Sequence, residues 1–298
     1  MPNEASCSKI AALKRSAFHW ATPGTPKANS AGSGREKSAS HKSRLLNLGC
    51  GNRFHPAWVN VDLAPADPSV LRHDLCQPLP FGDKAFVAVY HSHVLEHLPR
   101  EKALPFLREC HRVLESGGIL RVAVPDLETL ATLYLENLRG ALAGDQTCRD
   151  HYEWSTIELL DQLARQHADG GEMFKYLCRD PIPSLDFVVQ RFGYEVSSKL
   201  EQIRGYVKGG LTPEKIDARR AAFTSEEVGR FRTSGEAHLW MYDRYSLARL
   251  LEASGLKEVQ VTRADISQIP EFQKFELDVL SDGSVRKPDS LFMEARKA

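Results

Sequence analysis

The chain has 298 residues, a hydrophobic fraction of 42%, and equal numbers of basic and acidic side chains, 39 of each. This composition can fill a substantial core, and the zero net charge argues against a dedicated nucleic-acid-binding protein, whose domain is normally basic. No apolar run reaches the ~18 residues of a membrane span, and the N-terminus lacks the apolar segment of a signal peptide. The six cysteines include no C-x-x-C pair, so we expect reduced thiols in a cytoplasmic protein.

Residues 1–43 differ in amino-acid composition from the rest of the chain. They are rich in Ser, Ala, Lys, Gly and Pro, as in "ATPGTPKANSAGSGREKSAS". Such a segment buries too little apolar surface to offset the entropy that it loses on ordering. The sequence therefore predicts a disordered tail over residues 1–43.

Short β-rich segments bounded by turn residues begin at Arg44. Five predicted strands follow one another in "RLLNLG", "WVNVD", "VLRHDL", "AFVAVYHS" and "ILRVAVPD". An amphipathic helix, "REKALPFLRECHRVL", separates the last two strands. Strands interleaved with helices predict an α/β fold with a Rossmann-like, mostly parallel sheet.

Helical periodicity replaces the strand pattern after Asp126. In "HYEWSTIELLDQLARQH" it places Leu160 on an apolar stripe. The sheet pattern returns with the helix "YDRYSLARLLEAS" and the strands "KEVQVTRA" and "DSLFMEARK". We predict a core domain of residues 44–126 and 238–298, with residues 127–237 as a large helical insertion that forms a lid.

The first three predicted strands end in residues that suit a nucleoside. Gly49 and Gly51 form a turn without Cβ atoms after the first strand, where a ligand can lie against the backbone. Asp62 ends the second strand, where a carboxylate can accept hydrogen bonds from both ribose hydroxyls. Asp74 ends the third strand, on the side expected for an adenine amino group.

The glycine turn departs from a dinucleotide fingerprint, which has a third glycine and a helix N-terminus for the pyrophosphate. Gly51 is followed instead by Asn52, Arg53 and Phe54, and the crossover to the next strand is too short for a full helix. The turn therefore favours a cofactor with one nucleoside and no phosphate, S-adenosylmethionine rather than NAD.

Six motifs together resemble the class I S-adenosylmethionine-dependent methyltransferases, and among these the small-molecule type 11 branch. The motifs are "LNLGCGN", "VNVD", "HDLCQPLPF", "SHVLEHL", "ECHRVLESGGILRVAVPD" and "HLWMYDRYSLARLLEASGL". The resemblance implies that the turn contacts the methionyl part of the cofactor, Asp62 the ribose and Asp74 the adenine. The predicted cofactor-binding residues are Gly49, Cys50, Gly51, Asn52, Asp62, Leu63, Asp74, Leu75, His91 and Ser92, the last two through backbone groups.

A cluster of polar residues follows the fourth predicted strand. Methyl transfer from a sulfonium mainly requires alignment, but a hydroxyl acceptor also needs a base. His93, Glu96 and His97 are spaced so that they would share one helical face beside the methyl group. Three interpretations stay open: a histidine base, with His93 favoured; a divalent-cation site like that of the ubiquinone-pathway O-methyltransferases; or structural residues. We assign no metal ligand.

Two further residues are candidates for contact with the acceptor. Asp126 follows the fifth strand and should face the acceptor pocket, although helix N-capping explains it equally well. His238 precedes the last helix, where it would contact substrate or serve as a structural histidine. The catalytic candidates are therefore His93, His97, His238 and Asp126.

The predicted insertion supplies a candidate acceptor surface. Glu158, Gln162 and Arg165 form a polar stripe that, with Trp154, would suit a polyhydroxylated acceptor, unless the stripe is a solvated helix face. The resemblance extends to methyltransferases of polysaccharide biosynthesis, so we predict O-methylation of a hydroxyl on a small molecule or glycan. The alternatives are N-methylation of a small molecule or protein, and a non-catalytic adenosyl-binding module. We expect no nucleic-acid partner, and the oligomeric state stays open.

Overall fold

Seven strands form one sheet at the centre of the computed structural model, which describes residues 44–298. The strands are β1 (Leu45–Leu48), β2 (Val59–Asp62), β3 (Leu71–Arg72), β4 (Phe86–Ser92), β5 (Leu114–Pro125), β6 (Lys257–Thr262) and β7 (Ser290–Arg296). They are ordered β3-β2-β1-β4-β5-β7-β6, and β7 is antiparallel to both of its neighbours while the other pairs are parallel. This order confirms the predicted Rossmann-like, mostly parallel sheet of a class I methyltransferase fold.

Most of the helices follow β5 in one uninterrupted series. The helices are α1 (Arg100–Val113), α2 (Leu127–Leu142), α3 (Gln146–Ala164), α4 (Gly171–Leu177), α5 (Leu185–Phe192), α6 (Tyr194–Ser197), α7 (Leu200–Lys208), α8 (Pro213–Arg220), α9 (Ser225–Arg232) and α10 (Arg244–Ala253). Among the described residues, no helix is both long and apolar enough to cross a membrane. The division of the chain at residues 126 and 238 stays a prediction, and the predicted tail, residues 1–43, lies outside the described residues.

One face of the sheet is covered by α1 and α10. Leu107 of α1 and Leu247 and Leu251 of α10 are completely buried, in one apolar cluster with Leu46 and Leu120 of the sheet. Burying a leucine side chain stabilises a fold by about 1.5–3 kcal/mol. This packing holds the carboxyl ends of β1, β4 and β5 along one edge of the molecule.

The opposite face is covered by the long connection from β6 to β7. Between β1 and β2 the chain makes only turns, as the short crossover predicts. Phe272 of the connection packs against Tyr90 and Trp58, with ring centroids 5.4 and 6.1 Å apart. The connection therefore fills space over the sheet that a crossover helix would otherwise occupy.

A buried ion network anchors this connection. Arg121 of β5 donates hydrogen bonds to Asp278 at 2.7 Å and to Glu294 at 2.9 Å, and all three side chains are buried. The Tyr90 hydroxyl donates to the second oxygen of Asp278 at 2.5 Å. These bonds fix the path by which residues 286–290 reach the carboxyl edge of the sheet.

Helix α3 buries a different face from the one that its periodicity predicts. Leu160 is 51% exposed, whereas Glu158 and Asp161 are buried. Glu158 pairs with Arg191 of α5 at 2.7 Å, and Asp161 pairs with Arg165. The predicted apolar stripe is therefore wrong at Leu160. The helix instead buries two carboxylates, and the paired arginines offset the free energy that burial of these charges would otherwise cost.

Candidate active site

A cavity of about 370 Å³ opens at the carboxyl ends of β1 and β4. Its walls come from the glycine turn, the segment after β4, the helical series that follows β5, and Arg286 and Lys287 before β7. Ligands of open α/β sheets bind outside the carboxyl ends of the strands, where the strand order reverses. The cavity lies at this reversal, between β1 and β4.

The glycine turn has the backbone conformation that its sequence predicts. Gly49 and Gly51 have φ angles of 64° and 54°, in the left-handed region that favours glycine. Asp62 accepts hydrogen bonds from the backbone N–H of Gly51 at 2.8 Å and of Ala64 at 2.9 Å. A Cβ added to Gly51 would meet no atom within 4 Å. The turn is thus held from behind by Asp62 and open in front.

The structure brings part of the predicted cofactor set to the cavity. Five of the residues line it: Gly49, Cys50, Gly51, Asn52 and Ser92. The other five, Asp62, Leu63, Asp74, Leu75 and His91, lie outside its lining. Asp74 accepts from the N–H of Cys76 at 2.9 Å in its own turn. The buried His91 ring faces Phe106 of α1, with centroids 5.2 Å apart.

His93 stands between two polar side chains just after β4. Its Nε2 lies 2.8 Å from the Ser290 hydroxyl and its Nδ1 lies 3.2 Å from Glu96 Oε1. We assign the proton to Nδ1, because a carboxylate can only accept, and Nε2 then accepts from Ser290. Nε2 of His93 is therefore hydrogen-bonded to Ser290, and Nδ1 lies beside a buried carboxyl group.

His97 and His238 form a second part of the same cluster. Their rings meet edge to face with centroids 4.7 Å apart, and His97 Nε2 lies 4.0 Å from Glu96 Oε1. The N–H of Leu239 donates to the backbone carbonyl of Glu96 at 2.7 Å, which brings the segment before α10 to this point. Glu96, His97 and His238 each offer one ligand atom, all within 4.8 Å of one another. Imidazole and carboxylate groups in this arrangement also suit a divalent cation.

Burial decides the protonation of two of these histidines. Burial, reinforced by nearby Lys287, lowers the pKa of His93 to about 3. Burial and the neighbouring imidazoles hold the pKa of His238 well below its ordinary value of 6.5. Both rings are therefore neutral at pH 7.

Asp126 has the capping role that the sequence left open. It is the N-cap of α2 and accepts from the backbone N–H of Glu128 at 3.1 Å and of Thr129 at 3.4 Å. Its second oxygen accepts from the Thr129 hydroxyl at 2.6 Å. Asp126 lies outside the cavity lining, so the structure does not bring it together with the histidines.

Residues 46–122, from β1 into β5, match the sequence model of the family described as "Methyltransferase domain". The chain carries a methyltransferase domain. Its cofactor is S-adenosylmethionine, as the glycine turn and the resemblance predict. The two positive-φ glycines and the open space over Gly51 fit the methionyl part of this cofactor.

Comparisons with solved structures give distant likenesses. A S-adenosylmethionine-dependent methyltransferase from Archaeoglobus fulgidus is 13% identical, with a TM-score of 0.36 over 86% of this chain and 87% of that chain. A possible histamine N-methyltransferase from Thermotoga maritima is 11% identical, with a TM-score of 0.34 over 86% and 83%. The [4+2]-cyclase SpnF is 25% identical, with a TM-score of 0.23 over 27% of this chain and only 38% of that chain. No curated protein matches the chain.

Several residues of the methyltransferase's cavity escaped the sequence analysis. They are Glu195, Lys199, Arg286 and Lys287 in the wall and Ser290 behind His93. One available signal is strand direction: β7 runs antiparallel, with Ser290 opposite Pro125. Its beginning must therefore lie at the edge where the parallel strands of the methyltransferase end.

Only part of the polar stripe that we predicted to contact the acceptor lies at the cavity. Arg165 lines it. Trp154 is completely buried and packs against Tyr176 and Phe192, so it offers no exposed platform. Tyr194, which is 49% exposed, is an aromatic residue of the lining that the sequence analysis did not single out.

Proposed function

We propose that the chain transfers a methyl group to a hydroxyl of a small-molecule or glycan acceptor, with His97 as general base. One observation carries this proposal. A single cavity has the cofactor's glycine turn on one wall, and His93, His97 and His238 on another. The completely buried Glu96 lies behind these imidazoles.

When bound, S-adenosylmethionine supplies a methyl carbon on a sulfonium, so the carbon–oxygen bond to the acceptor forms as the carbon–sulfur bond breaks. The hydroxyl proton leaves to a base of this chain. An imidazole that accepts this proton becomes a cation, and a nearby carboxylate stabilises that cation. Glu96, 4.0 Å from His97 Nε2, is in place for this role.

His97 is favoured over the other two histidines because its side chain is more exposed than that of His93 and because the pKa values of His93 and His238 are low. Its side chain is 18% exposed at the cavity, compared with 11% for His93. Nε2 of His93 is hydrogen-bonded to Ser290, and the low pKa of His93 and of His238 makes each a weak proton acceptor. We infer that His93 and His238 hold Glu96 and the His97 ring in place.

The acceptor is placed on the side of the cavity formed by the helical series. Phe231 and the half-exposed Tyr194 supply aromatic surface there, and aromatic rings pack well against the apolar faces of sugars and other small molecules. We therefore keep the prediction of a hydroxylated small molecule or glycan, as in polysaccharide biosynthesis. A cytoplasmic location belongs to the same proposal.

Label transfer tests the reaction and its acceptor class. The protein is incubated with S-adenosylmethionine labelled in the methyl group and with a fractionated extract of its source cells. We expect label in the small-molecule or glycan fraction, bound through oxygen. Label on a nitrogen, or in protein or RNA, would contradict the proposed acceptor, and absence of transfer despite cofactor binding would support a non-catalytic module.

Substitution of His97 tests the base. His97→Gln should lower turnover with the labelled fraction by ~10²-fold or more, because proton removal is lost. The affinity for S-adenosylhomocysteine should stay within a few-fold of wild type. His111→Gln on α1, outside the cavity lining, is the matched control and should retain full activity.

Treatment with a chelator distinguishes a histidine base from a divalent-cation site in this cluster. With a histidine base, removal of divalent cations should leave turnover unchanged. Inactivation that magnesium or manganese restores would instead assign Glu96, His97 and His238 to a cation. Normal turnover of both His97→Gln and His93→Gln would contradict any role of these imidazoles in proton removal.

A further inference from the structure

The wall formed by α6, Lys199 and the β6–β7 connection carries more positive than negative charge. Glu195 of α6 pairs with Arg286 at 2.8 Å and lies 4.0 Å from the ammonium of Lys199. All three residues line the cavity, together with Lys287. These four residues thus carry three positive charges and one negative charge, although the whole chain has no net charge.

Lys287 differs from Arg286 and Lys199, each of which forms an ion pair with Glu195. It is half-buried, and within residues 44–298 its ammonium makes no ion pair. Burial, and then repulsion by Arg286, lower its pKa, while Glu195, Asp289 and Glu96 oppose this. A half-buried ammonium without a paired anion is unfavourable unless a ligand supplies the anion.

Binding of the cofactor does not reduce the net positive charge of the cavity. S-adenosylmethionine carries one carboxylate, one ammonium and one sulfonium, so its net charge at neutral pH is positive. When it binds, the excess of positive charge in the cavity grows. A second ligand with an anionic group would lower this excess and place its hydroxyl near the sulfonium.

We propose that the acceptor carries an anionic group, a carboxylate or a phosphate, which Lys287 binds with Arg286 and Lys199 beside it. This inference rests on the proposed function and adds the charge of the acceptor to it. Lys287 is then a specificity-determining residue. The anion fixes one end of the acceptor on the wall, and the hydroxyl points towards His97.

Three compounds with one carbon skeleton test the inference. Glycerol 3-phosphate, glycerate and glycerol offer a phosphate, a carboxylate and no charge, respectively. Each is titrated calorimetrically into the full chain saturated with S-adenosylhomocysteine. We expect one or both anions to bind at millimolar concentration and glycerol not to bind. The stronger of the two anions distinguishes a phosphate-bearing from a carboxylate-bearing acceptor.

Substitutions of Lys287 tie the binding to the wall. Lys287→Met should weaken binding of the preferred anion about tenfold or more, because a charge-assisted hydrogen bond is lost. It should melt no lower than wild type, since it removes an unpaired half-buried charge. Lys287→Arg should retain most of the affinity. Lys208→Met, at an exposed end of α7, is the matched control and should change nothing.

Other outcomes would overturn the inference. Equal binding of the three compounds, or no binding by either anion, would contradict an anion site. Loss of S-adenosylhomocysteine binding in Lys287→Met, with anion binding intact, would assign the lysine to the cofactor's carboxylate. Anion binding without label transfer would contradict the proposed function alone, and label transfer without anion selectivity would contradict this inference alone.

Discussion

At the scale of single residues, His93 links the site to the stability of the fold. The charged groups that act on it come from three surrounding elements: Glu96 after β4, Glu195 of α6, and Arg286, Lys287 and Asp289 before β7. Burial and this environment keep the imidazole neutral, with a pKa of about 3. An unfolded chain, in contrast, takes up a proton at histidine near pH ~6.5.

This difference predicts that acid weakens the fold. Because the unfolded state binds the proton first, the stability is fully present above pH ~6.5 and is lost as the pH falls towards about 3. When the pH falls from 7 to 5, the low pKa of His93 should lower the free energy of unfolding by about 2 kcal/mol. Urea unfolding of wild type and His93→Asn at both pH values measures this. The variant should lose less stability than wild type over the interval, and parallel losses would contradict the low pKa.

At the scale of secondary-structure elements, α3 shows what joins the helical series together. Glu158 is buried with only 2% of its side chain exposed, and it pairs with Arg191 of α5. Glu153, on the same helix, pairs with Arg179 while both side chains stay substantially exposed. The two ion pairs therefore differ mainly in their access to water.

The comparison of these pairs gives a direct prediction. Glu158→Ala should lower the free energy of unfolding by about 3–5 kcal/mol, because it leaves the Arg191 charge buried and uncompensated. Glu153→Ala, the matched control, should cost about 1 kcal/mol or less. Urea unfolding at pH 7 measures both. Equal costs would show that burial of the Glu158–Arg191 pair does not contribute to stability.

The elements that sequence predicted well are those with local signals. Strand patterns and glycine turns are properties of a few neighbouring residues, so β1, its turn and the seven strands could be predicted. The buried face of α3 could not, because the Glu158 carboxylate is paired inside the protein with Arg191, which lies 33 residues away in the sequence. The roles of Lys287 and Ser290 likewise depend on a long connection whose path is fixed by Arg121 and Asp278.

At the scale of the whole molecule, the site is assembled from several distant parts of the chain. The glycine turn, His93 and His97 come from the matched methyltransferase domain, whereas His238, the α6 wall and Lys287 come from outside it. We propose that the domain binds the cofactor. The other segments are the ones that we propose select the acceptor, because they complete the cavity beside the glycine turn.

The most direct test of this account is a crystal structure of the full chain with S-adenosylhomocysteine. We expect its homocysteine part against Gly49 and Gly51, and its sulfur facing the cavity wall that contains His97. That geometry would place the methyl group of the cofactor next to the proposed base. Density for the ligand at another part of the sheet, or a sulfur turned away from the histidines, would contradict the assignment of this cavity as the site of methyl transfer.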